Sequence, residues 1–204
     1  VRYYLNGLLM EISSSGLRAV ATDGHRLALS ERTLEIPLPA PVQLIVPRKG
    51  VQEIQRMLAH IDGDVMVAVS DNHLKVTTLA QSITTKLIDG KFPDYQRVIP
   101  QKGDRSVIAD REALKSAFGR TSILSNEKYR GVRLFLSNGL LRAAINNSEQ
   151  EEAEEDVAVD YAGDELEIGF NVSYLLDVMG VLRSKLVKIE LSDANSSAVL
   201  FDPD

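Results

Sequence analysis

An α+β fold, with helices packed on one face of mainly antiparallel sheets, is what this 204-residue sequence predicts. Three features point to it. Short segments alternate apolar and polar residues with the period of a half-buried strand, other segments carry an apolar stripe with the period of a helix, and the same succession of elements occurs twice. The first two strands are expected in 1–9 and Gly16–Thr22, joined by the turn Ser13-Ser14-Ser15-Gly16. After a further strand, a helix over 47–59 takes Pro47 into its first turn and sets Val51, Ile54, Met57 and Leu58 on one stripe. Two alternating strands, 65–69 and 83–88, close this first unit. Phe92-Pro93-Asp94-Tyr95 and Ile99-Pro100-Gln101-Lys102-Gly103-Asp104 read as connecting chain, because their prolines stop regular structure. The expected division is 1–92, a linker over 93–105, and 106–204.

The second unit opens with a helix over 111–124, entered from Asp110 as its N-cap, with Leu114, Ala117, Phe118 and Thr121 on the apolar side. Asn138-Gly139 is a strong hairpin signal. A later helix presents Leu175, Val178, Met179 and Leu182. Four blocks pair the units in order: 1–5 with 132–136, 17–20 with 141–144, 46–58 with 170–182, and 65–71 with 187–193. The first unit has no counterpart of the 111–124 helix, and the second has none of the 83–88 strand. The expectation is a fragment of a longer protein, since a naturally shortened pair would leave poorly covered sheet edges.

Composition excludes several classes. The chain has no cysteine, hence no disulfide, thiolate zinc site or thiol nucleophile. His25, His60 and His73 lack metal-ligand spacing, no run of about 18 apolar residues could cross a membrane, and the opening residues carry no secretion signal. A cytoplasmic protein without metal or cofactor is the default expectation. The net charge of −6 is local: 149–156 contains six of the 29 acids, and without it 23 acids face 23 bases.

Glycine-rich phosphate loops, two-histidine zinc helices and nucleophile elbows are absent from the sequence. Asp23-Gly24-His25-Arg26 permits a general-base reading of its Asp–His pair, against the commoner reading as a tight turn. Lys49, Gln52 and Arg56 lie off the apolar stripe of the first helix, and Arg111 and Lys115 are a turn apart on the next. Such faces either meet phosphates without reading bases or are ordinary solvated surface. The acidic run is either solvated or complementary to a basic partner. Ile123-Leu124, two large aliphatics at a helix end, are core or a subunit contact.

Several strings resemble one family. Ala21-Thr22-Asp23-Gly24-His25-Arg26-Leu27, Val46-Pro47-Arg48-Lys49-Gly50, Phe92-Pro93-Asp94-Tyr95 and Ile123-Leu124-Ser125-Asn126-Glu127-Lys128 are similar to stretches of the bacterial DNA polymerase III beta subunits, the replicative sliding clamps. Gly131-Val132-Arg133-Leu134, the acidic run from Glu149, and Ile168-Gly169-Phe170-Asn171-Val172-Ser173-Tyr174 extend the similarity along the whole chain. The resemblance implies most of the second and third of three similar domains. Its full-length form is a head-to-tail homodimer, a ring around double-stranded DNA that tethers the replicative polymerase catalytic subunit without bond chemistry.

Residue by residue, the resemblance implies three sites. Tyr3 and Tyr4 would lie near the DNA path. Arg2, Leu5, Thr22, Gly24, His25, Arg26, Leu27, Pro93, Arg97, Val98 and Ser197 would line a pocket between the second and third domains for short motifs of the polymerase, the clamp loader and other clamp-motif proteins. Ile123 and Leu124 would centre the dimer contact, ringed by Glu149, Glu151, Glu152 and Glu155. Two other functions stay open: a protein-binding adaptor that never meets DNA, and a hydrolase centred on Asp23 and His25.

Overall fold

The computed structural model describes residues 5–100, 103–125, 130–147 and 149–203. The chain forms two compact units, Val1–Tyr95 and Gln96–Asp204. Strand pairing within both is antiparallel throughout.

In the first unit β1 (Gly7–Ser13), β2 (Gly16–Thr22), β3 (Leu27–Thr33) and β4 (Val42–Pro47) form a sheet in the order β3-β2-β1-β4. Helix α1 (Arg48–Leu58) follows, and then a second sheet of β5 (Met66–Val69), β6 (His73–Thr77) and β7 (Ser82–Lys86) in sequential order. The expected stripe of α1 faces inward: Met57 is buried, and Val51, Ile54 and Leu58 pack with it on Leu44, Val46, Leu74 and Val76. Pro47 is the N-cap rather than a first-turn residue and contributes no side-chain bond. Among the described residues the first strand begins at Gly7, with Leu5 and Asn6 outside it, while residues 1–4 of the expected strand lie outside the described residues. Two strands, β3 and β4, stand where one was expected before the helix, and β6 was not foreseen.

In the second unit β8 (Arg105–Asp110) leads into α2 (Arg111–Ser122). Then come β9 (Gly131–Ser137), β10 (Leu140–Asn146), β11 (Glu152–Asp160), β12 (Leu166–Asn171), α3 (Val172–Val181), β13 (Leu186–Leu191) and β14 (Val199–Phe201). All the strands join one seven-stranded sheet, β12-β9-β10-β11-β8-β13-β14. Helix α2 forms for the reasons its sequence gives. Asp110 caps it by accepting from the Ala113 amide at 2.9 Å, Glu112 sits in the first turn, and Arg120 sits in the last, each sign matched to the helix dipole. Leu114, Ala117, Phe118 and Thr121 are all fully buried, and the Thr121 hydroxyl is satisfied by the carbonyls of Ala117 (3.0 Å) and Phe118 (3.2 Å). Leu175 and Met179 of α3 complete this core with Val172. Gly139 has φ of +74°, the left-handed backbone that the Asn138-Gly139 hairpin requires.

The doubling is visible in the topology, with one register corrected. Strand order β3-β2-β1-β4 recurs as β11-β10-β9-β12. Gly7–Ser13 corresponds to Gly131–Ser137, Gly16–Thr22 to Leu140–Asn146 and Val42–Pro47 to Leu166–Asn171, each at the same spacing. The pairing of 1–5 with 132–136 was therefore seven residues out of step. A five-residue string of alternating apolar residues is too short to fix register, because period two matches any neighbouring strand. At the position of Pro47 the second unit has Asn171, whose side chain accepts from the Ser173 amide at 2.9 Å.

Candidate functional site: the 22–27 turn, the basic helix faces and the acidic strand

Strands β2 and β3 pair up to Thr22 and Leu27, and the four residues between them close a turn held mostly by side chains. Thr22 Oγ1 donates to the Arg26 carbonyl at 2.7 Å and accepts from the Gly24 amide at 3.1 Å. Asp23 Oδ1 accepts from the backbone amides of His25 (2.9 Å) and Arg26 (3.0 Å), while Oδ2 accepts from Arg26 Nε at 3.2 Å. Partial burial pushes the Asp23 carboxyl up, but donation from the His25 and Arg26 amides and the Arg26 guanidinium outweighs it, and the net shift is downward. Gly24 has φ of +91° with open space where a Cβ would stand, so its backbone, not crowding, selects glycine.

This geometry answers the Asp–His reading. The partner of Asp23 is the backbone amide of His25, not its imidazole. The carboxylate is spent on a turn, and no general-base dyad forms. What the turn offers is a surface: His25 and Arg26 are exposed and Leu27 is half-buried beside them. The structure thus brings Thr22, Gly24, His25, Arg26 and Leu27 together. Leu5 is half-buried in the same unit, and Pro93 is exposed between the buried Phe92 and Tyr95. Arg97 closes a 3-10 turn (Tyr95–Arg97), and Val98 is exposed after it. Ser197 is exposed in the loop before β14, a loop turned by Asp193 accepting from the Asn195 amide and the Ser196 hydroxyl, both at 2.8 Å. Arg2, Tyr3 and Tyr4 lie outside the described residues.

The basic positions divide. Lys49 and Lys115 are exposed, and Arg56 is exposed but pairs with Glu53 at 2.7 Å. Arg111 is engaged within its own unit. Its Nη1 donates to the Met179 carbonyl at 2.8 Å and its Nε to the Ser184 carbonyl at 3.0 Å, which satisfies chain ends around the C-terminus of α3. Its side chain also pairs with Glu112 at 2.8 Å and is only 18% exposed.

The acidic run and the two aliphatics divide likewise. Ile123 is 79% exposed at the end of α2, whereas Leu124 is half-buried and packs against the second core. Glu149, Glu151 and Glu152 are exposed, with Glu151 accepting from the Asn147 side chain at 2.7 Å. Glu155 is bound in fork geometry by Arg120 (2.6 and 2.8 Å), which holds its carboxyl below the usual range. Two members of the expected contact, Leu124 and Glu155, are therefore already engaged within their own unit. Among the described residues no group of three His, Asp or Glu side chains could hold a metal ion, and no helix is long and apolar enough to cross a membrane.

One cluster escaped the sequence reading. Glu31, Arg18, Glu11 and Gln43 stand directly opposite one another across β3, β2, β1 and β4, and Tyr95 joins this row. Charged residues within otherwise apolar strands were its signal, but the partner tyrosine is 84 residues from Glu11.

With this geometry in place, the chain can be compared with known proteins. The central-domain family model of the DNA polymerase III beta subunit matches residues 1–94, and the C-terminal-domain model matches residues 96–204. The beta sliding clamp of Pseudomonas aeruginosa is 56% identical over 204 residues, covering 100% of this chain and 56% of that protein. That of Escherichia coli K12 is 49% identical over 202 residues, 99% of this chain and 55% of that protein. A crystal structure of the DNA polymerase sliding clamp from Pseudomonas aeruginosa with ligand is similar with a TM-score of 0.97, at 56% identity, over 100% of this chain and 56% of that one. The Caulobacter crescentus beta sliding clamp gives 0.94 at 38% identity, over 99% of this chain and 55% of that one. The chain spans about half the length of the curated relatives it matches. With both units matched in order and strand pairing repeated between them, the chain belongs to the DNA polymerase III beta subunit family, the bacterial sliding clamps.

Proposed function

We propose that this chain works as part of a sliding clamp, a processivity factor that holds a polymerase on double-stranded DNA by enclosure rather than by chemistry. The observation that carries the reading is the doubled unit, matched along its whole length by clamp domains. A topological link needs only weak, sequence-blind attraction, because tight phosphate contacts would stop sliding. Exposed Lys49, Arg56 and Lys115 on α1 and α2 supply bases of that kind, Arg56 partly neutralised by Glu53. Tethering then raises the local concentration of the polymerase at the primer end without new contacts. The complete subunit is expected to form the ring as a homodimer, with Ile123 as an apolar contact and Glu149, Glu151 and Glu152 as its acidic border.

The 22–27 turn is proposed as the centre of a peptide site for the polymerase and other clamp partners. Half-buried Leu27 and Leu5 offer apolar contact, Arg26 and His25 offer polar edges, and Pro93 supplies a rigid border. Arg97, Val98 and Ser197 are assigned to the same peptide by the family resemblance.

Two experiments test the proposal. The complete subunit should stay on circular DNA and be lost when that DNA is linearised; equal retention on both would leave a protein-binding adaptor. Replacing Leu27→Asp or Val98→Asp should abolish binding of a polymerase-derived peptide, and unchanged affinity would move the site elsewhere.

A further inference from the structure

The polar row across the first sheet is built around one buried hydroxyl. Tyr95 is 5% exposed; its hydroxyl donates to Glu11 Oε2 at 2.5 Å and accepts from Arg18 Nη1 at 2.9 Å. Arg18 Nε is 2.5 Å from Glu31, and the Gln43 side chain donates to Glu11 Oε1 at 2.6 Å. A carboxylate on a sheet face that buries Leu9, Val20 and Ile45 is costly unless its oxygens are occupied, and here both are. A buried tyrosine hydroxyl likewise needs a partner, and charge-assisted bonds of this length are the strong ones. The guanidinium of Arg18 is held further toward its charged form by the Tyr95 bond first and Glu31 second.

The second unit lacks this arrangement, although its row is homologous in position. Arg142 stands where Arg18 does and grips Asp156 at 2.7 and 3.1 Å, but Phe135 replaces Glu11 and Glu167 replaces Gln43. Phe135 offers no acceptor, and it lies instead under Arg133 at 5.6 Å. Among the described residues the tyrosine acceptor stands in the first unit, on the segment that follows its last strand.

We infer that the Tyr95 hydroxyl, clamped between Glu11 and Arg18, is a positioning group for the peptide site, fixing the 92–97 segment that carries Pro93 and leads into Arg97 and Val98. Buried Phe92 is the second anchor of the segment. The inference rests on the peptide-site reading above, but the latch itself has a readout that does not.

Lys91 and Arg97 flank the two anchors and are exposed, so trypsin reports whether the segment is held. In the full chain Tyr95→Phe should speed cleavage after Arg97 by about tenfold. Cleavage after Arg32, which reports opening of the sheet, should not change. An unchanged rate after Arg97 would overturn the latch. Glu11→Gln keeps one acceptor oxygen but loses the charge and should fall between the parent protein and Glu11→Ala, whereas Glu11→Ala should match Tyr95→Phe. Equal behaviour of the two Glu11 variants would overturn the hydrogen-bond account. Affinity for a polymerase-derived peptide should fall about tenfold in Tyr95→Phe and Glu11→Ala and less in Glu11→Gln. Faster cleavage with unchanged affinity sinks the positioning role. Failure of Leu27→Asp to weaken the same peptide sinks the peptide-site reading instead and leaves the latch standing.

Discussion

Among the described residues α1 lies alone over the two sheets of the first unit, while in the second α2 and α3 pack on each other over a single continuous one. The difference traces to β8, which pairs with β11 on one side and β13 on the other. Among the described residues no strand holds the equivalent place between β3 and β5. Its consequence is plain in burial. All four residues of β5 are exposed, Met66 by 71%, whereas Val187, Ile189 and Leu191 of the corresponding β13 are buried. Two strands with similar alternation meet opposite fates because burial depends on neighbours, not on pattern alone. The largest fully buried side chains follow suit: Phe118, Leu114, Leu141 and Met179 belong to the second unit, and only Leu74 of comparable size belongs to the first.

The comparison breaks hardest at Phe118. It is fully buried on α2, which has no counterpart among the described residues of the first unit, so Phe118→Ala should cost about 3–5 kcal/mol. Denaturant titration read by hydrogen exchange in each unit should show the second unit falling while the first keeps its midpoint. A loss shared equally by both units would mean that they unfold as one, and the contrast between them would carry no energetic weight. A smaller effect is expected at Arg111, whose guanidinium bonds two carbonyls. Arg111→Ala should cost about 1.5–3 kcal/mol, as charged hydrogen bonds do when one partner is removed. Lys49→Ala on exposed α1 should stay within about 0.5 kcal/mol. If instead Arg111→Ala leaves stability intact and weakens DNA retention, the residue is a phosphate ligand after all.

Features that depend on neighbours in sequence were legible. The α2 stripe, its Asp110 cap, the Asn138-Gly139 hairpin and the turn at Asp23-Gly24 each follow from a few adjacent residues. The family was legible for a related reason, since its strings are contiguous. What failed depends on partners far along the chain. Strand β8 was not foreseen, its first residue Arg105 falling at the end of the expected linker, because its place is fixed by β11 and β13. Strands β3 and β6 were missed because Leu27–Thr33 turns polar from Ser30 without a clear alternation and His73–Thr77 is short. Within the candidate site, Arg111 looked like a surface base, yet its guanidinium donates to the carbonyl of Met179, 68 residues away. Ile123 and Leu124 were indistinguishable as letters, although one faces outward and the other joins the core. Phe92 and Tyr95 looked like linker for want of any local sign that Glu11 and Arg18 await the hydroxyl.

Acid should separate the units most gently. In the second unit Arg120 holds the Glu155 carboxyl below its usual range, Arg142 does so for Asp156, the Asn195 amide for Asp193, and the Ser184 amide for Asp202. In the first unit burial raises the Asp23 carboxyl, but the turn amides and Arg26 lower it on balance. A carboxylate depressed in the folded state contributes stability that is fully present above its unfolded pKa, about 4. That contribution is lost as pH falls through the folded value. Protonation between about pH 5 and pH 2 should therefore lower the stability of the second unit more than that of the first. Because the four groups are at the surface, the loss should be modest, and about 1 M salt should shrink it by screening the two arginine pairs. The amide bonds to Asp193 and Asp202 should resist the same salt, so some acid sensitivity of the second unit remains. Midpoints of both units, followed by hydrogen exchange at pH 7, 5 and 3 with and without salt, decide the matter. An earlier acid loss in the first unit would overturn the assignment of the acid response to the lowered carboxylates of the second.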